Sequence, residues 1–396
     1  MRSRSHGPRR SPERPNQSDS SIPTTNRNRA AAPISHALQL RIEYLLAFVP
    51  IAVALNWLAP QWHVATFTAA AAAIAPLAAE LGRTTERLAE RTGAAIGGLL
   101  NVTFGNAAEM IIGVTALRSG LGDVVKASIT GAVIGNLLLV LGAALLAGGL
   151  RHPTQTFNAA GARSRTTMLL LAATALIAPA AYHHLANGHT AMRENGFSFE
   201  VSIVLVVSYA LGLVFSLHTH RELFAGHTGD VRAVEEQDEA SPRQSWLLAV
   251  LAVVTVLIAW MSEILVGCIE PVAHQLGMTQ VFIGVIIVAM AGNSAEQSTA
   301  ILMATKNRMD LALSIAIGSS IQIALFVAPM LVFASYVVGP VPINLVLTPA
   351  EVLAVTFSVV IAGQICGDGE SNWFEGVQLL AVYAIVAMLF YFLPAR

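Results

Sequence analysis

The chain has 396 residues, 55% of them hydrophobic and only 12% charged, with a formal net charge of −1 and a mean hydropathy of +0.62. That much apolar surface cannot be hidden in one soluble core of this length, so the chain reads as a polytopic membrane protein whose surroundings are the lipid bilayer. The near-neutral charge leaves no basic face for a phosphate backbone, which excludes nucleic acid as a partner.

Residues 1–40 hold seven arginines among Pro, Ser and Asn and no apolar run, the composition of a disordered basic tail. This tail does not resemble a signal peptide, because the first apolar stretch begins near Ile42 and is long enough to span, and it is expected to stay attached. Spans are then expected at 42–59, 64–81, 94–117, 124–149, 166–186, 199–217, 246–269, 279–304, 310–338, 349–366 and 374–393. The polar stretch Arg83 to Arg91 reads as a short interfacial helix after the second span. With the tail inside, one side collects Arg83, Arg87, Arg91, Arg151, Arg163, Arg165, Arg221, Arg232, Arg243, Lys306 and Arg308. The other holds only Arg118, Lys126, Arg193 and Arg396. By the positive-inside rule the N-terminus is cytoplasmic.

Two acids inside the membrane recur in one motif. Gly105-Asn106-Ala107-Ala108-Glu109 in the third span and Gly292-Asn293-Ser294-Ala295-Glu296 in the eighth both read G-N-[AS]-A-E. Glu109 and Glu296 lie 187 residues apart, as do Asp123 and Asp310. A charged residue in a bilayer is expensive, so two in copies of one motif point to a site. Because the copies are five helices apart, they enter the membrane in opposite senses. The expected fold is therefore all-α, with about eleven transmembrane helices. A first helix within 41–62 precedes two inverted five-helix repeats, 63–220 and 245–396, joined by an acidic cytoplasmic linker at 221–244.

Gly and Asn within a membrane helix loosen it, and a break there frees the carbonyls of the preceding turn. These are Val102, Thr103 and Phe104 in the first copy, and Ala289, Met290 and Ala291 in the second. With the side-chain oxygens of Asn106 and Asn293 and the carboxylates of Glu109 and Glu296 they make an all-oxygen set. Such a set suits a hard divalent cation such as Ca²⁺, and no neighbouring His or Cys favours zinc or copper. The same carboxylates can hold protons, since a low dielectric disfavours their charged form. Competition of proton and cation for one site is the physical basis of an antiporter, because an empty, doubly charged site is costly to expose to low dielectric. Ca²⁺ is then cargo and H⁺ its counter-ion, and no cofactor is expected.

Other polar residues are less specific. Asp123 and Asp310 open helices, where an acid complements the helix dipole. Ser319 and Gln322, in Gly318-Ser319-Ser320-Ile321-Gln322, can face one groove; small residues there also suit close helix packing. Glu80 and Glu263 precede the motif glutamates by about thirty residues and are either proton-handling acids behind the site or charges snorkelling to water. Glu235, Glu236, Asp238 and Glu239 form either a solvated interdomain helix or a regulatory, cation-attracting surface. Cys268 and Cys366 read as small core residues.

With these residues assembled, the sequence from about Arg41 to its end resembles the cation/proton exchanger family, the Ca²⁺/H⁺ antiporters of the Ca²⁺/cation antiporter superfamily. The resemblance implies that Glu109 and Glu296 bind Ca²⁺ and exchange protons, that Asn106 and Asn293 line the site, and that Ser319 and Gln322 form its wall. It also implies that the segment from Glu235 to Glu239 corresponds to a cytoplasmic acidic helix that binds Ca²⁺ and influences activity. Helices two and seven would slide against a core of three, four, eight and nine. Two positions depart from the family: Gln297 stands where His usually follows the motif glutamate, and Gly135 replaces a Ser before Asn136. Proton coupling would then rest on the glutamates themselves.

The nearest rival is a Na⁺/Ca²⁺ exchanger, whose repeats resemble G-[ST]-S-x-P-E with an acid in the following helix; neither motif here has the proline, and the downstream stretches carry no acid. An intramembrane hydrolase is more remote, since H-E-x-x-H is missing. The expectation is a secondary transporter rather than an enzyme. It is placed in a cell membrane, with the vacuolar membrane as the alternative, and an oligomer is compatible with it.

Overall fold

The computed structural model describes residues 44–92, 97, 100, 103–185, 191–219 and 244–394, all within the unit Arg41–Arg396. The basic tail 1–40 and the acidic segment with Glu235, Glu236, Asp238 and Glu239 lie outside the described residues. Among the described residues eleven main helices follow in order: α1 Leu45–Leu58, α2 His63–Thr92, α3 Ala107–Arg118, α4 Gly122–Gly149, α5 Ala159–Leu185, α6 Ala191–Val214, α7 Gln244–Leu276, α8 Gln280–Thr305, α9 Met309–Val338, α10 Pro349–Ile365 and α11 Trp373–Phe392. Among the described residues eight of these are long and apolar enough to cross a membrane, and α1 and α10 are shorter apolar helices. A two-residue antiparallel pair, β1 Gln155–Thr156 with β2 Glu370–Ser371, ties the α4–α5 connection to the α10–α11 connection.

Local chemistry sets the helix starts. Thr348 and Asn372 each open a capping box with a glutamate three residues on, Glu351 and Glu375, and Pro349 occupies the first turn of α10, where its missing N–H costs nothing. The stretch Arg83 to Arg91 is not a separate interfacial helix: α2 runs unbroken through it. Its 30 residues span about 45 Å at 1.5 Å per residue, well beyond a hydrocarbon core of about 30 Å. The Leu, Ala, Glu and Arg of this stretch are good helix formers, so leaving the membrane gives the helix no reason to stop. Its counterpart α7 is slightly longer, at 33 residues, turns at Cys268 and packs along α2.

The halves are related by more than their motifs. Gly120 in the α3–α4 turn has φ +75°, and Asn307, 187 residues later in the α8–α9 turn, has φ +58°. Both turns need a left-handed residue, and Asn is among the few non-glycine residues that tolerate it. A π-helical segment begins at Gly135 in α4 and another at Ile323 in α9, one residue from the equivalent place. The turns lie at opposite ends of the bundle. Gly120 and Gly122 pack on Pro340 and Ile343 of the α9–α10 loop, whereas Asn307 Oδ1 accepts from Gln155 Nε2 of the α4–α5 loop at 3.1 Å. The repeat is thus inverted. Arg151, Arg163, Lys306 and Arg308 gather at the Gln155 end, called the basic end below.

The centre of the bundle is α4, with 83% of its most apolar window buried, against 22% for α6 and α11. Glycines permit this enclosure: a methyl group on Gly131 would run into the backbone of Val285 in α8, and one on Gly376 of α11 would meet the backbone of Gly142 and Leu146. Gly318, the repeat equivalent of Gly131, has no heavy atom within 4 Å of where a Cβ would stand. Gly131→Val is therefore expected to destabilise the protein by about 3 kcal/mol through forced separation of α4 and α8. Gly318→Ala should leave the unfolding temperature in detergent nearly unchanged, and equal melting of the two variants would contradict the close crossing.

Candidate functional site

The two motifs meet at mid-bundle, where α3, α4, α8 and α9 converge. A short helical stretch at 103–105 ends at Asn106, whose φ of −115° and ψ of 29° break the helix, and α3 starts afresh at Ala107. Glu109 consequently sits in the first turn of a helix that begins inside the membrane, where unpaired N–H groups favour a negative charge. Its carboxyl lies flat on Gly292 of the second motif: a Cβ built there would stand 3.2 Å from Glu109 Cγ and 3.3 Å from Oε1. The motif glycine is the bare backbone that lets the first glutamate reach the second motif.

The second copy is not a mirror image. α8 continues without a break through Gly292 and Asn293, and its irregularity comes earlier, as a π-helical segment Ile283–Val288. Helix continuity keeps the Met290 carbonyl within the helix, so the expected pair of frayed helices is realised only at Asn106. The Met290 side chain faces outward, 39% exposed, and that of Thr103 is exposed too. Glu296 lies three residues after Asn293, close enough to Glu109 for the two carboxyls to act on each other electrostatically. The Ser319 hydroxyl of α9 is turned to Glu296 and accepts from Asn136 Nδ2 of α4 at 3.0 Å.

The amides show which chemistry the site is set for. Asn106 Nδ2 donates to Gln322 Oε1 at 2.5 Å, and Asn293 Nδ2 donates to the Ala289 carbonyl at 3.1 Å. Both NH₂ groups are thus engaged, while Asn106 Oδ1, Asn293 Oδ1 and Glu296 Oε2 are buried with no hydrogen-bond partner. Buried polar atoms are normally paired. The unpaired amide oxygens of Asn106 and Asn293 beside two carboxylates, one of them with an unpaired oxygen of its own, form a donor set of hard oxygens, which fits a divalent cation such as Ca²⁺. Among the described residues no group of three or more His, Cys, Asp or Glu could hold a metal, so a cation here would need the neutral oxygens as well.

A narrow cleft lies against this centre, lined by Glu109, Ser128, Ala132, Asn293 and apolar residues of α8 and α9. Its lining runs from the motifs toward the α3–α4 turn, the start of α8 and the end of α9, that is, away from the basic end. The π-helical segments at Gly135–Val140 and Ile323–Val327 flank the same level; a wider turn of this kind re-aims the side chains beside it.

Of the residues expected from sequence, Glu109, Glu296, Asn106, Asn293, Ser319 and Gln322 are brought together. Glu80 and Glu263 are not: Glu80 is half-exposed and pairs with Arg83 at 3.4 Å, and Glu263 is exposed. Asp123 and Asp310 occupy the first turns of α4 and α9, the former 2.9 Å from Lys126 and the latter accepting from the Asn158 amide at 2.7 Å. Cys268 and Cys366 are buried free thiols. The role of Gly292 as a seat for Glu109 was hidden in the sequence, where the same glycine reads as a helix breaker.

The sodium/calcium exchanger protein family matches residues 62–218 and 246–392. A Ca²⁺/H⁺ antiporter of Aphanothece halophytica is 44% identical over 362 residues, covering 88% of this chain and 96% of the relative. A vacuolar calcium ion transporter of Schizosaccharomyces pombe is 38% identical over 358 residues, covering 88% of this chain and 84% of the relative. The solved structure of native YfkE superposes with a TM-score of 0.75 at 39% identity, covering 89% of this chain and all of that one.

The seat of Glu109 can be tested directly. In Gly292→Ala the added methyl presses on the Glu109 carboxyl, and divalent-cation affinity measured by calorimetry is expected to fall by about tenfold while the melting temperature holds. Undiminished affinity in a folded variant would show that the carboxyl does not need that place.

Proposed function

The chain belongs to the sodium/calcium exchanger protein family, among its Ca²⁺/H⁺ antiporters, and on that premise we propose that it exchanges Ca²⁺ for H⁺ across a membrane by alternating access. The observation that carries the reading is the meeting of Glu109 and Glu296 with the unpartnered amide oxygens of Asn106 and Asn293 in the centre of the bundle. Two carboxylates balance one divalent ion, and two protons balance them equally well. Either load neutralises the site for passage, whereas the empty, doubly charged site is costly in low dielectric. Asn106 and Asn293, with their NH₂ groups engaged, present oxygen to the cation and stay neutral through the cycle.

Protons are favoured over Na⁺ as the counter-ion because the residues completing the site on α4 and α9 are Asn136, Ser319 and Gln322, none of them acidic. Extra Na⁺ ions would need extra negative charge. Gathering of Lys and Arg at one end supports a cytoplasmic orientation for that end, by the positive-inside rule, and hence access from the opposite side through the cleft. A cell membrane fits the bacterial relative, and a vacuolar membrane is the alternative that the yeast relative supports. The long paired helices α2 and α7 are suited to move as one body against α3, α4, α8 and α9.

Inverted vesicles separate the two couplings. An imposed pH gradient is expected to drive Ca²⁺ uptake and an imposed Na⁺ gradient is not; uptake driven by Na⁺ alone would overturn the assignment. Glu109→Gln and Glu296→Gln should each abolish uptake while the protein still reaches the membrane. Protonation removes a ligand, so the apparent affinity for Ca²⁺ should weaken as the pH on the loading side is lowered; affinity independent of pH would argue against a shared site.

A further inference from the structure

Gln322, which holds Asn106 in place, is backed by a residue outside every motif. Tyr209 on α6 is only 5% exposed, and its ring packs on Phe326 of α9 with centroids 5.8 Å apart. The hydroxyl is set against Gln322 without a formed hydrogen bond, and among the described residues it has no other partner. An unpaired buried hydroxyl is unfavourable anywhere and more so in a bilayer, where no water is at hand to relieve it.

The two asparagines are held differently. Asn293 is fixed by a carbonyl of its own helix, one turn back at Ala289. Asn106 depends on a long side chain from another helix, and the repeat equivalent of Gln322 in the first half is Gly135, which offers nothing comparable. Gln322 has three rotatable bonds and an amide whose two ends are nearly alike in shape. Held by Asn106 alone, it could swing away or turn over. A turned amide would face Asn106 with its NH₂ group, draw Asn106 Oδ1 to itself, and leave an N–H pointing where a cation needs an oxygen.

We propose that Tyr209 is a positioning residue of the cation site: its hydroxyl anchors the Gln322 amide, which keeps Asn106 Nδ2 engaged and Asn106 Oδ1 free for the cation. In this arrangement a small approach of the two side chains lets the Tyr209 oxygen take an N–H of Gln322 Nε2, leaving Oε1 on Asn106. The hydroxyl touches no cation and carries none of the exchanged protons. This inference deepens the exchange reading and rests on it.

The test is Ca²⁺ titration of the detergent-solubilised full chain by calorimetry, paired with the concentration dependence of Ca²⁺ uptake in vesicles. Tyr209→Phe removes the hydroxyl and keeps the ring on Phe326. It is expected to weaken Ca²⁺ binding about five- to tenfold, the worth of one hydrogen bond, and to raise KM in parallel while the rate at saturating Ca²⁺ holds. Gln322→Leu should weaken binding further, and the double variant no further than Gln322→Leu alone, because the hydroxyl acts through the amide. Should Gln322→Leu fail to fold, Gln322→Met, which keeps the length of the side chain and removes the amide, takes its place in the cycle. Unchanged Ca²⁺ affinity in Tyr209→Phe, additive losses in the double variant, or a lower maximal rate at unchanged KM would each overturn the proposal. A wild-type chain that binds no Ca²⁺ would instead sink the exchange reading itself.

Discussion

The contact of the Glu109 carboxyl with the bare backbone of Gly292 is the constraint on which the rest of the site depends. It requires α3 to begin inside the membrane, so that Glu109 falls in a first turn. It requires the second motif to pass beneath that turn without a side chain in the way. And it brings two acids together where neither could remain charged alone at tolerable cost. The tight crossing of α4 and α8 at Gly131 serves the same end, since the Ser319 hydroxyl that faces Glu296 is held by Asn136 from α4.

Inversion gives the two halves equivalent positions without making them equivalent in chemistry. Asn106 breaks its helix and leans on Gln322; Asn293 stays inside its helix and leans on Ala289. Gly135 and Gln322 are repeat partners of opposite character, one lacking a side chain and the other supplying the 2.5 Å bond. The glutamates differ as well, one seated on a glycine and the other beside a serine hydroxyl. A site built from unequal halves can treat its two carboxyls differently, so loading and release need not move both protons by the same route.

What the sequence made legible follows from how strongly each feature is enforced. Membrane spans and their senses could be read because bilayer thickness and Lys/Arg placement act on whole segments. The paired motifs stood out because intramembrane acids are rare. The helical state of Arg83 to Arg91 was obscured, since polarity marks where a membrane ends and not where a helix does. The one-sided break at Asn106 and the π-helical segments left no compositional mark, because packing against other helices decides them. Tyr209 was invisible for a related reason: it is one hydroxyl in an apolar helix, and its partner lies far along the chain.

The two ends of the bundle are closed by different bonds despite their shared ancestry. At the basic end the Asn158 amide donates to Asp310, Gln155 Nε2 reaches both the Ala304 carbonyl and Asn307, and the β1–β2 pair joins a third connection to them. At the other end Asp123 pairs, among the described residues, with nearby Lys126, whose Nζ also reaches the Val346 carbonyl, and the Leu345 amide, the equivalent of Asn158, turns to Ser198 on α6. The cleft runs toward this second end, where the repeated aspartate is largely exposed and spans no loop. Alternation between two such ends cannot be a simple exchange of identical contacts. The groups that unlock one side differ from those that lock the other, and each side can therefore be weakened by substitution without a matching effect on its counterpart.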